Sequence, residues 1–433
     1  MSTKPFHLGW FLGPGVTIQG WNEPGFPGAY DWTKPALFQD MIRALERARF
    51  DLLILEDSST VPDNYGASMD FYLTHAVMTP KFDPVPLVPY LAAATTHIGI
   101  APTLTSTFYP PFLLARCLST LDHFTDGRIA WNIVTATNDR AGQNYGLPRQ
   151  PEHDLRYDMA DEYIEVVTRL WESWEPDAVV MDEARGMFAD PRKVHSIDFE
   201  GKFYKSRGPL NVPRSPQGRP VFVAPGASPR GRKFSGRHAE IVLAGHAAHV
   251  HEMKAYRDEV HAHARAFGRD PATCKVMFTF MPWVVKNARE AEELKGDLAK
   301  ARTARTERVL AAYSYLSGMD FSKLDLDTPL PEIKTNGMQS LLRTFASAGP
   351  NATLRDIATG MHSFMPIGTA DAIAGQMQEV MAEIGGDGFL VQAHLKPKYV
   401  HALTDELVPA LQRRGLTRTE YTHKHLRDNL RAF

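Results

Sequence analysis

Short runs of apolar residues alternate along the chain with longer stretches in which apolar residues recur every three or four positions. The short runs predict buried strands, and the longer stretches predict amphipathic helices. The predicted strands cover residues 6–12, 52–55, 98–103, 129–134, 221–224, 241–244, 276–281 and 389–393. The clearest predicted helices cover residues 34–49, 111–122, 154–174, 229–237, 250–267 and 396–413.

This alternation of strands and helices indicates an α/β protein with a parallel sheet. The number of strands matches a (β/α)8 TIM barrel, although an open doubly wound sheet shares the same alternation. A chain of 433 residues fits either two ordinary domains or one barrel with insertions. We expect a single barrel domain over residues 1–433.

Three segments interrupt the alternation, near residues 21–34, 176–219 and 317–365. They are too long and too rich in proline, glycine and aromatic residues to be plain connections. We therefore predict insertions over one face of the barrel. Such loops either build a pocket or mediate contacts between subunits, and the sequence leaves both roles open.

The charge of the chain is nearly balanced, with 48 basic and 50 acidic residues and a net charge of -2. This balance argues against nucleic-acid and membrane partners and favours a small-molecule ligand. The chain has no leader-like N-terminus and no apolar run long enough to span a bilayer, so we expect a cytoplasmic protein. Two cysteines, Cys117 and Cys274, are expected to be structural.

A cluster of polar side chains follows the predicted strand at 129–134. Residues 121–147 run from the end of a helix through a turn and this strand into a segment rich in hydroxyls, amides and charge. The carboxyl end of a barrel strand offers such side chains to a ligand, and Asn138 lies in this polar segment. A surface loop after a core strand would explain the pattern equally well.

A second candidate site follows the strand at 221–224. Gly226 and Ala227 allow close approach of the backbone, Ser228 is a typical N-cap, and Pro229 suits the first turn of a helix. The N-terminus of such a helix binds anions through its unpaired N–H groups. The alternative is an ordinary well-capped helix.

Two sequence motifs of other protein classes are absent from the glycine-containing segments of the chain. Ser228 is not a nucleophile elbow, because Arg230 stands where the G-x-S-x-G pattern needs its second glycine. Gly13, Gly15 and Gly20 lack the G-x-G-x-x-G spacing of a dinucleotide-binding fold. We therefore expect neither a serine hydrolase nor a nicotinamide-binding Rossmann domain.

Other candidate ligand contacts lie at strand ends and on one helix. Asp57 follows the second predicted strand, and Thr103 ends the third. His153 and Tyr157 are four residues apart, so they share a face at the start of a long helix. Helix capping and packing are the alternative roles, above all for Asp57 and His153.

Aromatic residues are dense in the first two predicted strands and the loops that follow them. Such density usually belongs to the core, but loop aromatics also wall apolar pockets. We predict a substrate pocket that includes Trp10, Trp21, Trp32 and Tyr65. Few basic residues accompany them, which disfavours a substrate with several carboxylates.

A histidine-rich run suggests a metal site at first sight. Its members are His246, His249, His251, His261 and His263. Their spacing is not H-E-x-x-H and spreads the rings around a helix. We predict no metal.

Several segments closely resemble one enzyme family. They are FDLLILEDSS at 50–59, HIGIAPTLTSTFYPPFLLAR at 97–116, WNIVT at 131–135, NYGL at 144–147, RYDMADEYIEVVTRLWESW at 156–174 and PVFVAPGASPRGRKFSGRHAE at 220–240. In this order they resemble the flavin-dependent monooxygenases of the nitrilotriacetate and dibenzothiophene-sulfone monooxygenase group, within the bacterial luciferase-like superfamily. The resemblance extends over nearly the whole chain.

The resemblance implies a TIM barrel and a homodimer or homotetramer. It further implies a two-component enzyme that receives reduced FMN from a separate NAD(P)H-dependent flavin reductase. The reduced FMN would react with O2 to a C4a-(hydro)peroxyflavin and oxygenate a small apolar or aromatic substrate, such as an organosulfur, haloaromatic or heteroaromatic compound. Two alternatives are a deazaflavin-dependent oxidoreductase of the same superfamily and a flavin-binding protein without catalysis.

The resemblance also assigns roles to individual residues. Ser228 would bind the FMN phosphate. The other flavin contacts would be Asp57, Thr103, Asn132, His153, Tyr157, Gly226 and Ala227. The candidate polar partners of peroxide or substrate are His7, His75 and Asn138. Glu56 stands where the family often has alanine, so it adds a local charge whose effect the sequence does not predict.

Overall fold

Eight parallel strands close into a barrel. The computed structural model describes residues 4–13, 15–23, 25–245, 249–329, 335–338, 341, 345, 349, 351–360 and 363–433. The barrel strands are β1 (His7–Leu12), β2 (Leu52–Leu55), β3 (Gly99–Thr105), β4 (Ala130–Val134), β5 (Val221–Ala224), β6 (Ile241–Ala244), β7 (Lys275–Phe280) and β8 (Gly388–Gln392). Each strand pairs with its successor and β8 pairs with β1, which confirms the predicted TIM barrel.

Helices follow the strands, and most of them cover the outside of the barrel. They are α1 (Ala36–Arg47), α2 (Asp70–His75), α3 (Val88–Ala92), α4 (Pro111–Phe124), α5 (Asp139–Asn144), α6 (His153–Glu172), α7 (Pro229–His238), α8 (Val250–Ala266), α9 (Ala288–Ala304), α10 (Thr306–Ser317), α11 (Leu354–Thr359), α12 (Ala370–Ile384), α13 (Pro397–Ala402), α14 (Val408–Arg413) and α15 (Leu426–Leu430). In α1, the buried Phe38, Met41 and Leu45 recur at the spacing that places one helix face on the barrel.

The barrel strands are apolar on both faces because side chains fill the interior and helices cover the exterior. All four residues of β2 are buried. Alternation along β1 points Gly9 inward, where an added Cβ would lie 2.5 Å from Leu390, and Trp10 outward, where its ring packs against Phe50 and Tyr399.

The chain at residues 396–413 differs from the single predicted helix. A π-helical segment, Leu403–Leu407, separates α13 from α14. Pro409 lies in the first turn of α14 and has no N–H with which to continue a regular α-helical ladder. The amphipathic pattern survives this local irregularity, which is why the sequence predicts one helix there.

The three predicted insertions have different structures. Residues 21–34 consist of turns, in so far as they are described. Residues 176–219 carry two small antiparallel sheets, Val179–Asp182 with Met187–Ala189 and Phe199–Glu200 with Lys205–Ser206. The excursion after β7 already includes α9 and α10, so it begins well before residue 317. Parts of 317–365 lie outside the described residues.

The C-terminal segment closes the amino end of the barrel. Leu426 and Leu430 of α15 belong to the core cluster inside the barrel, together with residues of the strands. Gly99 leaves room for this contact, since a Cβ there would lie 2.6 Å from Leu426. A ligand therefore has access to the barrel interior from the opposite, carboxyl end.

Candidate active site

A cavity of about 410 Å³ lies at the carboxyl ends of the barrel strands. Residues at or near the ends of the strands line it, namely Phe11, Thr103, Thr105, Asn132, Val134, Ala224, Leu243, Thr279 and Gln392. Such a location is where TIM-barrel proteins bind their ligands. The volume is within the range of small-molecule and cofactor sites.

One end of the cavity is built from two helix N-termini. Ser228 caps α7, and its Oγ accepts a hydrogen bond from the Gly231 N–H at 3.0 Å. Tyr157, in the first turns of α6, lies beside Ser228, and a Cβ at Gly231 would lie 2.8 Å from the Tyr157 hydroxyl. His153 begins α6 and lines the same cavity. This close arrangement of N–H groups and hydroxyls suits a phosphate.

Packing and hydrogen bonds on the side away from the cavity fix the loop before α7. A Cβ at Gly226 would lie 2.3 Å from the Ser235 hydroxyl, so the loop packs directly on its own helix. The Tyr256 hydroxyl donates to the Gly226 carbonyl at 2.6 Å, and the Arg232 guanidinium donates to the Ala227 carbonyl at 2.9 Å. Ala227 and Ser228 line the cavity, whereas Gly226 is not part of its lining and acts through the backbone.

Unpaired polar atoms lie in the floor of the cavity. The Asn132 amide donates to the Thr103 hydroxyl at 2.7 Å. The Asn132 Oδ1 and the Thr279 hydroxyl are buried and have no hydrogen-bond partner among the described residues. Buried polar atoms are normally paired, so these two fit a ligand that brings its own donors and acceptors. The polar edge of a flavin ring has both kinds of group.

Two carboxyl groups lie side by side after β2. Burial and the neighbouring Glu56 together raise the pKa of Asp57 to about 7, against the opposing effect of Lys81. Glu56 is itself paired with Lys81, 2.5 Å away. Both Glu56 and Asp57 line the cavity. Asp57 therefore retains its proton up to neutral pH and can donate a hydrogen bond there.

One residue of the cavity lining, Arg156, was not predicted from the sequence. This arginine is buried, lines the cavity and donates to the carbonyls of Pro151 and Asn336 at 2.7 and 2.9 Å. The signal was available, because Arg156 is three residues from His153 and so shares the helix face predicted for His153 and Tyr157.

Two of the three predicted catalytic residues lie away from the cavity. His7 starts β1, at the amino end of the barrel, where its ring stacks on Phe433 at 4.4 Å. Its Nδ1 lies 3.2 Å from Asp51 without hydrogen-bond geometry. His75 ends α2, packs against Phe71 and is not part of the cavity lining. We do not retain either residue as a catalytic candidate.

Asn138 does line the cavity, but its side chain is already engaged. Its Oδ1 caps α5 by accepting from the Arg140 N–H at 2.8 Å. Its Nδ2 donates to the Tyr315 carbonyl at 3.1 Å. Asn138 therefore ties the loop after β4 to α10, which favours a positioning role over proton transfer.

The four aromatic residues of the predicted substrate pocket lie outside the main cavity. Trp10 points away from the barrel interior and donates to the Ala393 carbonyl, and Trp21 is 50% exposed. Trp32 lines a separate cavity of about 40 Å³, and Tyr65 contacts Glu307. None of the four belongs to the lining of the main cavity. Its apolar walls instead include Met78, Phe108, Tyr109, Tyr145, Tyr315, Leu316 and Met338.

Only one of the three insertions contributes described residues to this lining. Gly337 and Met338 come from the segment after β7, whereas no described residue of 21–34 or 176–219 takes part. Residues 176–219 instead return along α6, where the Glu162 carboxylate accepts from three backbone N–H groups of 202–204. The pocket is therefore built mainly by the loops that directly follow the strands.

The described part of the chain was predicted to hold no metal and to have no membrane span, and its side chains and helices bear on both points. No group of three or more His, Cys, Asp or Glu side chains within it is placed to hold a metal ion. His246, from the histidine-rich run, lies outside the described residues. No described helix combines the length and the hydropathy that crossing a bilayer requires.

The family is decided by comparison with known proteins. A model of the luciferase-like monooxygenase family matches residues 14–419. The chain belongs to this family. The family resemblance expected from the sequence is thus confirmed, and the eight-stranded barrel with a cavity at its carboxyl end agrees with it.

Individual relatives of this luciferase-like chain are similar over almost their whole length. Dibenzothiophene-sulfone monooxygenase of Rhodococcus erythropolis is 37% identical over 92% of this chain and 90% of its own. Nitrilotriacetate monooxygenase component A of Aminobacter aminovorans is 32% identical over 99% and 97%. The crystal structure of riboflavin lyase with modified FMN and riboflavin has a TM-score of 0.89 at 30% identity, covering 99% of this chain and 96% of that one. These relatives support an oxidoreductase.

Proposed function

We propose that this chain is the oxygenase component of a two-component monooxygenase that uses reduced FMN and O2. The observation that carries the proposal is one cavity with two complementary ends. The Ser228-capped start of α7 suits a phosphate, and the barrel floor holds the unpaired Asn132 and Thr279 oxygens. A flavin mononucleotide has a phosphate at one end and a polar ring edge at the other.

The cofactor, when bound, supplies the oxygen chemistry, and the protein supplies its orientation. Ser228, Tyr157 and His153 hold the phosphate end. Thr103 and Asn132 contact the flavin ring, and the protonated Asp57 carboxyl donates a hydrogen bond to the cofactor. The riboflavin lyase structure with modified FMN supports FMN over a deazaflavin, since that chain is 30% identical to this one.

Exclusion of water is the second task of the protein. The roof over the cavity is α10, which contributes Tyr315 and Leu316 to the lining. Asn138 holds the loop after β4 to this roof through the Tyr315 carbonyl. A covered, apolar cavity favours transfer of oxygen to substrate over loss of reduced flavin to solvent.

The substrate is a small apolar or aromatic molecule, of which an organosulfur compound is the first choice. Apolar and aromatic side chains form a wall of the cavity, among them Met78, Phe108, Tyr145 and Met338. The relative that acts on dibenzothiophene sulfone supports this class. A separate NAD(P)H-dependent flavin reductase supplies the reduced FMN, as the name "component A" of another relative supports.

The test combines the purified chain with FMN, NADH and a generic flavin reductase under labelled O2. Organosulfur, haloaromatic and heteroaromatic compounds are screened for products that carry the label. We expect at least one labelled product, and its absence when this chain is omitted. Hydride transfer to a deazaflavin without O2 uptake, or flavin binding with no oxygenated product across the panel, would contradict the proposal.

A further inference from the structure

An ion pair forms part of the cavity wall. Glu56 lines the cavity, and its Oε2 lies 2.5 Å from the Lys81 ammonium group. The Lys81 side chain is 2% exposed and the Glu56 side chain 21% exposed. Lys81 does not belong to the cavity lining, so the glutamate stands between a buried cation and the ligand space.

The pair joins two separate parts of the chain. Lys81 lies in a short strand, Lys81–Phe82, that pairs with Val16–Thr17. Gly15 packs against both partners, since a Cβ there would lie 3.0 Å from the Glu56 Oε2 and 3.2 Å from Lys81 Cδ. The Lys81 side chain is thus packed in place, and its ammonium group has a fixed position.

A second buried cation, Arg156, does line the cavity, but it is on α6 with His153 and Tyr157, at the end of the cavity proposed for the phosphate. Asp57 lines the cavity beside Glu56, and burial together with the Glu56 carboxylate raises its pKa to about 7. The Arg156 guanidinium donates to two backbone carbonyls. His153 contacts Asp154 at 2.6 Å.

We propose that Glu56 is a specificity-determining residue, which cancels the charge of Lys81 and thereby disfavours carboxylate substrates at this wall of the cavity. Without the glutamate, a fixed ammonium at the edge of a largely apolar cavity would attract carboxylates, because opposite charges interact strongly where water is scarce. With it, a carboxylate placed against this wall loses hydration and gains no net positive charge as its partner. This inference rests on the proposed function and narrows its substrate class.

The test compares two probes of the same size, benzamide and benzoate. Their dissociation constants are measured by calorimetry at pH 7.5, with and without saturating oxidised FMN. We expect the wild-type chain to bind benzamide at least about tenfold more tightly than benzoate, since burying an unpaired charge is costly. Equal binding of the two probes, or binding of neither, would overturn the inference.

Substitutions then assign the preference to the pair. Glu56→Ala is made in the Asp57→Asn background, so that Asp57 does not replace the lost carboxylate as the partner of Lys81; the cavity then reaches Lys81, and we expect benzoate to gain at least about tenfold relative to benzamide. Glu56→Gln keeps the shape of the wall and should shift the ratio in the same direction by less. In the same background, the double variant Glu56→Ala with Lys81→Met removes the ammonium and should return the ratio towards wild type.

The outcome separates this inference from the proposed function. An unchanged benzamide-to-benzoate ratio in Glu56→Ala, or an equal ratio in the single and double variants, rejects the role of Glu56 even where FMN still binds. Failure to bind FMN while the ratios change as expected would instead reject the flavin proposal. Melting temperatures of all variants identify any that fail to fold, and Glu56→Gln is the variant that retains the most native contacts.

Discussion

The two ends of the barrel both contain buried polar groups, but they use them differently. At the amino end, the Asp51 carboxylate accepts from the Leu8 N–H at 2.9 Å and pairs with Arg418 at 2.8 Å. At the carboxyl end, the buried oxygens of Asn132 and Thr279 have no partner among the described residues. At the closed end an ion pair neutralises the buried carboxylate, and at the open end the two unpartnered oxygens are placed to contact a ligand in the cavity.

This contrast also appears in the ionisation of two aspartates. Burial alone would raise the pKa of Asp51, but His7 and Arg418 outweigh it and hold that pKa below its usual range. Burial and Glu56 instead raise the pKa of Asp57 to about 7. The first carboxyl is therefore fixed as an anion that stabilises the fold, and the second stays protonated beside the ligand cavity.

The largest expected effect comes from breaking the amino-end pair. Arg418→Met leaves the buried Asp51 charge without its partner, which should lower the free energy of unfolding by about 3–5 kcal/mol. Urea denaturation measures the change. Arg47→Met is the control, because its pair with Asp405 is exposed and should contribute at most about 1 kcal/mol. Equal stability of the two variants would contradict the comparison, and FMN affinity should be unchanged in both.

At the carboxyl end of the barrel, loss of a phosphate contact should weaken FMN binding more than it lowers the free energy of unfolding. Ser228→Ala and Tyr157→Phe should each weaken FMN binding on the order of 10- to 100-fold, since a hydrogen bond to a charged group contributes about 1.5–3 kcal/mol. Fluorescence titration measures the affinity. Asn287→Ala removes an equivalent N-cap from α9, away from the cavity, and should leave FMN binding intact. Wild-type affinity in both site variants would reject the phosphate assignment.

The protonation of Asp57 predicts a pH effect of intermediate size. Its pKa is about 7 in the folded chain, whereas an unperturbed aspartate titrates near about 4. The folded chain thus holds a proton that the unfolded chain has released, so wild type should lose stability relative to Asp57→Asn as pH rises from about 4 to 7. Partial exposure limits the loss to about 1–2 kcal/mol.

Denaturation of both proteins at several pH values between 4 and 8 measures this difference. The charged and titratable groups acting on Asp57 are Glu56, Lys81 and Asp83, and all three are retained in Asp57→Asn. The difference between the two proteins therefore isolates Asp57. Parallel pH profiles would show that the carboxyl is not held neutral.

The smallest effect concerns the apolar wall. Phe108 lines the cavity and stacks on Tyr145 at 4.3 Å, whereas Trp21 is half exposed and outside the lining. Phe108→Ala should admit water and raise the share of reduced FMN released as hydrogen peroxide during turnover, and Trp21→Ala should not. The measurement is the ratio of product to peroxide. A larger change in Trp21→Ala would restore the aromatic pocket expected from the sequence.

Much of the fold was predictable from local pattern. The bounds of β2, β5 and β6 agree with the predicted strands at 52–55, 221–224 and 241–244. These runs are continuously apolar and flanked by charged residues, proline or glycine, so their ends are clear in the sequence. The split between α13 and α14 was not predictable, because an amphipathic pattern persists across a π-helical segment.

The residues of the candidate site also include some that local pattern predicted and some that it did not. Asp57, Thr103, Asn132, His153, Tyr157, Ala227 and Ser228 all line the cavity, as a position at a strand end or at a helix start leads one to expect. Their roles towards flavin remain predictions. His7 and Trp10 lie outside this lining, because His7 starts its strand at the closed end of the barrel and Trp10 points away from the interior.

The sequence by itself determined the strand–helix repeat and the clustering of polar residues after the strands. These features depend on neighbours a few positions apart, which local propensity and periodicity record. Only the tertiary structure decided that Glu56 meets Lys81, that Asn138 meets Tyr315, and that the C-terminal segment fills the amino end of the barrel. These contacts join residues far apart in the chain, and only the packing of the loops and the C-terminal segment on the closed barrel brings them together.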